Sequence, residues 1–239
     1  ISWDTLNAMG IAHGVNVNLE SKLPVAMFPM NEGTGSTLND IRKQVTGTIT
    51  GATWIDTPYG KGLSFNSSRY VRFSSSVIPL GKKSIRFKMY RASVPSDYEH
   101  ILSNTGDLST TYGLNIYLNP TGSTVPGSIQ VKFSDPSVSP VNFIDVESGI
   151  NVCDGKWHDI LFTWDGTTNE NAVKLYVDNM TTPVAQTTAT HPETKQASQN
   201  LVISGRGDYS TAYGRYNGQL TRLEIYDDVI DFSEEKLYL

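Results

Sequence analysis

The chain lacks much of what would place it in several large functional classes. It holds one cysteine, Cys153, in 239 residues, so no internal disulfide can form and a disulfide-stapled ectodomain is excluded. Its apolar runs extend only a few residues, against the ~20 needed for a helix to cross a bilayer. Charged residues make up 18% and the net charge is −5, with no basic cluster beyond Lys82-Lys83. Tracking phosphates takes a basic stripe, so nucleic acid is not an expected partner. No His/Cys group has zinc spacing, and neither Gly-x-Ser-x-Gly nor a phosphate-cradling glycine loop occurs. Helical periodicity is scarce too. The one good helical segment in the body of the chain is the tail "DFSEEKLYL", where Ser233 can cap and Glu234 and Glu235 favour the positive N-terminal end.

Alternation with a period of two is abundant. In "SIRFKMYR" Ile85, Phe87 and Met89 alternate with Arg86, Lys88 and Tyr90; "SIQVKF" and "AVKLYVDN" repeat the pattern. Such stretches are strands with one face on a core. Further strands are expected at 24–30, 60–66, 69–75, 99–104, 112–118, 141–147, 158–164, 182–189, 200–204 and 218–226. Turn-forming stretches such as "GTGS", "NPTGS" and "DGTTNEN" separate them. Many short strands without intervening helices predict an all-β, two-sheet antiparallel β-sandwich ending in a short C-terminal helical turn. Residues 1–22 read as a lead-in or linker and 23–239 as the sandwich domain. The 20 glycines and 11 prolines, with abundant Ser, Thr and Asn, suit an extracellular, cell-surface or virion protein of bacterial or phage type.

Three segments in order resemble the laminin-G-like branch of the concanavalin A-like lectin/glucanase superfamily. They are "VAMFPMNEGTGSTLNDIRKQVTGTITGATWID" with "GKGLSFNSSRYVRF", then "DGKWHDILFTWDGTTNENAVKLYVDN", then "NGQLTRLEIYDDVIDFSEEKLYL". The Asp-Gly-Lys-Trp-His run is the most specific. The resemblance implies a jelly roll with Trp54, Trp157, Trp164 and Tyr216 in its core, and a structural role for His158. Cys153, on an apolar approach to a turn, is expected to be buried and inert. The resemblance also raises a structural calcium, with Glu32 and Asp40 in the opening positions. In the closing strand, where relatives carry carboxylates, this chain has Thr221 and Arg222, which weakens the oxygen-rich set calcium wants.

The stretch "NFIDVESG" comes close to the Glu-x-Asp-x-Glu pattern of β-sandwich glycosidases, in which the first Glu is the nucleophile and the last the acid/base. Strand alternation puts Phe143, Asp145 and Glu147 on one face. Phe143 stands where that nucleophile would be, so the glycosyl-enzyme route is closed and the chain is not expected to be an enzyme. A glycoside hydrolase using Asp145 and Glu147 remains the catalytic alternative.

Loops at the ends of sandwiches usually carry function. The loop "SGRGDYSTAYGRYNG" offers Arg206, Asp208, Tyr209, Tyr213 and Arg215 between glycines. A second region, "PSDYEH…NTGDLSTTY", offers Asp97, Tyr98, His100, Asp107 and Tyr112. Aromatic faces under the C–H side of a sugar, with Asp, Asn and Arg on its hydroxyls, are what glycan recognition needs, and neutral glycans require no net charge. The tripeptide Arg206-Gly207-Asp208 also spells a cell-adhesion motif, for which a Gly-flanked turn is explanation enough. The sequence therefore points to a non-catalytic carbohydrate-binding or adhesion module whose partner is a glycan. The alternative is a structural domain contacting other modules or subunits of a larger assembly.

Overall fold

The structure, a computed structural model, describes residues 23–66, 68–137, 143–197, 199–208 and 214–232. These form sixteen strands and no helix: β1 (Ala26–Phe28), β2 (Thr37–Asn39), β3 (Thr46–Thr50), β4 (Thr53–Thr57), β5 (Gly60–Ser64), β6 (Tyr70–Phe73), β7 (Lys83–Tyr90) and β8 (Glu99–Ser103). They continue with β9 (Gly113–Leu118), β10 (Ile129–Ser134), β11 (Phe143–Glu147), β12 (Trp157–Trp164), β13 (Val173–Val177), β14 (Ala185–Thr187), β15 (Val202–Ile203) and β16 (Gln219–Tyr226). One eight-stranded sheet runs β14-β13-β12-β7-β16-β5-β4, with β1 joining β16 beyond the end of β5; the other runs β11-β10-β9-β8-β15-β6-β3-β2. The strand pairings in both sheets are antiparallel, and the two sheets form a sandwich. The expected lead-in at 1–22 and the tail helix from Ser233 lie outside the described residues.

The alternating apolar positions of both sheets meet in one contiguous core. Aromatic contacts bridge the layers: Phe28 meets Phe73 edge-on at 4.7 Å, and Phe133 reaches Phe162 at 5.1 Å and Trp164 at 5.4 Å. Beside that second group lies Lys83, 0% exposed, whose ammonium sits 2.5 Å from Glu193 and 5.3 Å from the Phe133 and Trp164 ring centres. Burial lowers the Lys83 pKa, and Glu193 opposes that shift. Tyr216 is fully buried, its hydroxyl 2.7 Å from the Tyr90 carbonyl. Cys153 is buried, and desolvation pushes its thiol up to about 12, so it stays protonated.

Every expected strand is present, but β2, β3 and β4 were not expected. In β3 the inward positions are Gly47 and Ile49, so only one apolar side chain reports the alternation. A Cβ on Gly47 would lie 2.6 Å from Val71, because neighbouring side chains already fill that space. The tryptophan expectation also needs correction. Trp164 is in the core and Trp54 is half-buried against it, with its indole N–H donating to the Gly35 carbonyl at 2.9 Å. Trp157, however, lies on the opposite face of β12 from Ile160, Phe162 and Trp164, edge-on to Tyr59 at 5.9 Å. It stands seven positions from Trp164, and a strand sends positions an odd offset apart to opposite faces.

The next residue of that motif, His158, reaches Asp178 Oδ2 at 2.8 Å through Nδ1 and Asp154 Oδ1 at 3.0 Å through Nε2. It thereby ties the turn before β12 to the end of β13. The His158 bond, with help from Lys156, holds the Asp154 carboxyl at about 2. A depressed carboxylate contributes stability above its unfolded pKa of about 3.9 and loses it as the pH falls through the folded value. Asp154→Asn should therefore flatten the acid limb of thermal stability between about pH 4 and 2, as read by calorimetry. In urea unfolding, Trp164→Ala should cost about 3–5 kcal/mol and Trp157→Ala less than half of that.

Candidate functional site

Because the apolar residues of β8 to β11 face the core, the side chains between them face outward on a polar surface that is half-exposed on β10 and β11 and buried on β8 and β9. Tyr117 of β9 lies opposite Gln130 of β10, which lies opposite Glu147 of β11; Asn115, Lys132 and Asp145 form the next row. On β8 the register shifts between His100 and Leu102. This bulge buries both Ile101 and Leu102 and leaves His100 outward, opposite Tyr117.

A cavity of about 320 Å³ opens here. His100, Asn115, Tyr117 and Lys132 line it from the strands, Tyr98 and 106–108 from loops, and Arg206 from across the way. Tyr98 is 46% exposed and meets the buried Tyr117 ring edge-on at 5.6 Å. His100 Nδ1 lies 2.9 Å from Asn115 Oδ1, and since a carbonyl oxygen only accepts, Nδ1 carries the proton. Burial lowers the His100 pKa and Arg206 adds to the shift, against the opposing Asn115 hydrogen bond. Burial raises the Tyr117 pKa, reinforced by Asp145, so its phenol stays neutral.

The loops are set by local bonds. Asp107 Oδ1 accepts from the Ser109 N–H at 2.8 Å and its hydroxyl at 2.6 Å, closing an Asx turn that lowers the Asp107 pKa. Gly207 N–H donates to the Thr105 carbonyl at 2.9 Å, docking one loop on the other. A Cβ at Gly207 would meet the Thr105 nitrogen at 3.0 Å, so glycine is needed for the close approach. His100 N–H donates to the Gly214 carbonyl at 3.0 Å, and residues 100 and 215 bridge in parallel. The two regions singled out in the sequence thus form one structure.

Of the predicted site residues, Tyr98, His100, Asp107 and Arg206 line the cavity. Asp208 stands behind Arg206, accepting from its Nη2 at 2.9 Å. With Arg206 only 8% exposed and bonded to Asp208, the Arg-Gly-Asp tripeptide is part of the loop packing. Asp97 accepts from the Tyr98 N–H, Tyr112 lies under the Lys195 ammonium, and Arg215 stacks on Tyr70 while donating to the Ser204 carbonyl; none of the three lines the cavity. Tyr209 and Tyr213 lie outside the described residues. Sequence reasoning missed Asn115, Tyr117 and Lys132. Their signal was the polar half of the strand alternation, which reads as plain solvent-facing surface until the loops enclose it.

The carboxylates of the catalytic alternative share this face. Asp145 accepts from Gln130 at 2.6 Å and pairs with Lys132 at 3.1 Å; Glu147 accepts from Ser128 at 2.5 Å and Asn119 at 3.0 Å. For calcium, Asp40 is committed elsewhere, its oxygens accepting from the Met27 and Gln44 N–H groups. Glu32 keeps one buried oxygen without a hydrogen bond, while its other accepts from Asn39. Thr221 donates to the Lys61 carbonyl and Arg222 is tied to Glu224. Among the described residues no group of three or more His, Cys, Asp or Glu could hold a metal. One available carboxylate oxygen does not make the six to eight that calcium takes.

In NMR titration, His100 should remain neutral below about pH 6.5, where an exposed histidine is half-charged. A lowered folded pKa gives stability that is full above the unfolded value of about 6.5 and lost as the pH falls from there through the folded one, so His100→Gln should reduce the acid-side loss of stability.

Comparisons with known proteins agree with this architecture. The model of the concanavalin A-like lectin/glucanases superfamily, of laminin G type, matches residues 65–234. An uncharacterized protein of Clostridium acetobutylicum is 26% identical over 186 residues, covering 74% of this chain. The match takes in 42% of that protein, so the chain spans about two fifths of its curated relative. Domain 4 of AbnA, an extracellular GH43 arabinanase of Geobacillus stearothermophilus solved with arabinotriose, superposes with a TM-score of 0.64 at 17% identity, covering 86% of this chain and 93% of that one. Trypanosoma rangeli sialidase in complex with sialic acid gives 0.60 at 12% identity, covering 88% and 32%. Likeness at these identities concerns the fold alone. With its family model matched over most of its length and a two-sheet jelly roll beneath, the chain belongs to the concanavalin A-like lectin/glucanase superfamily.

Proposed function

We propose that this sandwich is a non-catalytic glycan-binding module with its site in the cavity over β8, β9 and β10. The observation that carries the reading is the convergence of the two loops on an aromatic pair, Tyr98 and Tyr117, ringed by His100, Asn115, Lys132 and Arg206. The exposed Tyr98 ring gives a surface for the C–H side of a sugar, and the polar groups meet its hydroxyls. At about 320 Å³ the cavity is at the small end of ligand sites, which span ~300–1,000 Å³, and suits a terminal sugar unit better than a threaded polymer. The bound arabinotriose of the arabinanase domain supports the reading by analogy of fold.

Binding rather than hydrolysis is favoured by the state of the carboxylates. Asp145 and Glu147 are engaged by neighbouring side chains, and Phe143 replaces the nucleophile of the glycosidase pattern. A module of this kind would work at a cell or virion surface, weakly at each site and more strongly in multivalent display.

On a glycan array carrying the multimerised chain, we expect selective binding that Tyr98→Ala and Asn115→Ala each weaken about tenfold or more, equivalent to about 1.4 kcal/mol. Tyr112→Ala, away from the cavity, should leave it unchanged. The bound glycan should release no reducing ends on prolonged incubation. A blank array, or binding indifferent to both cavity substitutions, would sink the reading; released sugar would turn it into an enzyme.

A further inference from the structure

The groups lining the cavity are uneven in charge. Among the described residues two cations, Lys132 and Arg206, form part of its wall, while Asp107 is the one carboxylate that does. The counter-charges of the two cations stand outside the lining. Asp145 holds Lys132 at 3.1 Å from the β11 side, and Asp208 holds Arg206 at 2.9 Å. Asp107 has one oxygen occupied by both donors of Ser109, which ties it to its own loop.

The neutral groups add hydrogen-bond donors. The Tyr117 phenol keeps its proton because burial and nearby Asp145 and Glu147 disfavour the phenolate. Asn115 has its carbonyl oxygen engaged by His100 Nδ1, which leaves its amide N–H groups as the unmatched part of that side chain. Strand register sets Asn115 directly across from Lys132, so the amide and the ammonium are cross-strand neighbours on the same face. The Lys132 side chain is 25% exposed and that of Arg206 only 9%, so both cations act where water screens them less than at an open surface.

We infer that the cavity selects a sugar carrying an anionic group, a carboxylate or a sulfate ester, over its neutral counterpart. The inference rests on the glycan-binding reading and refines it. Recognition is by contact rather than by steering: the chain as a whole carries −5, so its far field does not draw anions in. The anion would meet Lys132 and Arg206 as charge-assisted acceptor, with Tyr117 and Asn115 as neutral donors.

The test is calorimetric titration of the full chain with five probes: trigalacturonate, its methyl ester, galactotriose, galactose 6-sulfate and galactose. Each is repeated on Lys132→Gln, Lys132→Arg and Asp145→Asn, after their melting temperatures have been checked against the parent. We expect the anionic probes to bind about tenfold or more tighter than their neutral partners. Lys132→Gln should remove that preference, Lys132→Arg should keep it, and Asp145→Asn should enlarge it by leaving the Lys132 charge unopposed. Preference for trigalacturonate alone would assign a carboxylate, and for the sulfated sugar alone a sulfate ester. Neutral probes binding as tightly as anionic ones would overturn the inference and leave the glycan-binding reading standing. No binding by any probe, with a blank array, would overturn both.

Discussion

Apolar side chains of both sheets meet across a single core, with Phe133 of one layer wedged against Phe162 and Trp164 of the other. Strands alternate their side chains strictly, so burying one set commits the intervening set to the opposite face. On β9 and β10 that set is Asn115, Tyr117, Gln130 and Lys132, which is why the outer face over these strands is rich in hydrogen-bonding groups. The bulge at Ile101 is the single departure from the alternation on β8, and it aligns His100 with Tyr117. The core thus fixes the site from behind.

Buried charge fixes it from the side. Glu99 precedes His100 and is 9% exposed; it accepts from Arg91 Nε and Nη2 at 2.9 Å each and from the Asn217 N–H at 3.0 Å. One carboxylate therefore pins the start of β8 to the end of β7 and to the segment after the 204–208 loop. Breaking such a pair leaves an uncompensated charge indoors, so its geometry is held tightly. Arg86 and Lys88 do the same around Asp159 on the other sheet. Two further pairs, Lys132–Asp145 and Arg206–Asp208, have cations that also border the cavity.

The superfamily's fold serves lectin-like and hydrolytic proteins alike, so function has to be argued from the site. Here Asp145 belongs to the same row as Lys132 and works as its counter-charge, while Glu147 satisfies Ser128 and Asn119. A strand that reads like a glycosidase thereby supports the wall of a pocket.

The sequence by itself determined the strands wherever both halves of the alternation were visible, together with the sandwich they form. It hid β2 to β4, where glycine and threonine stand in for apolar residues and the close packing of Gly47 on Val71 is visible only in space. It also placed Trp157 in the core, because a motif shows which residues recur together and not which face each one takes. Tyr98, His100, Asp107 and Arg206 were legible as candidates because aromatic and charged residues between glycines stand out in loops. Their meeting with Asn115, Tyr117 and Lys132 was decided by tertiary structure alone. It depends on a bulge, on antiparallel register and on contacts between residues about a hundred positions apart, and none of these leaves a local pattern in the chain.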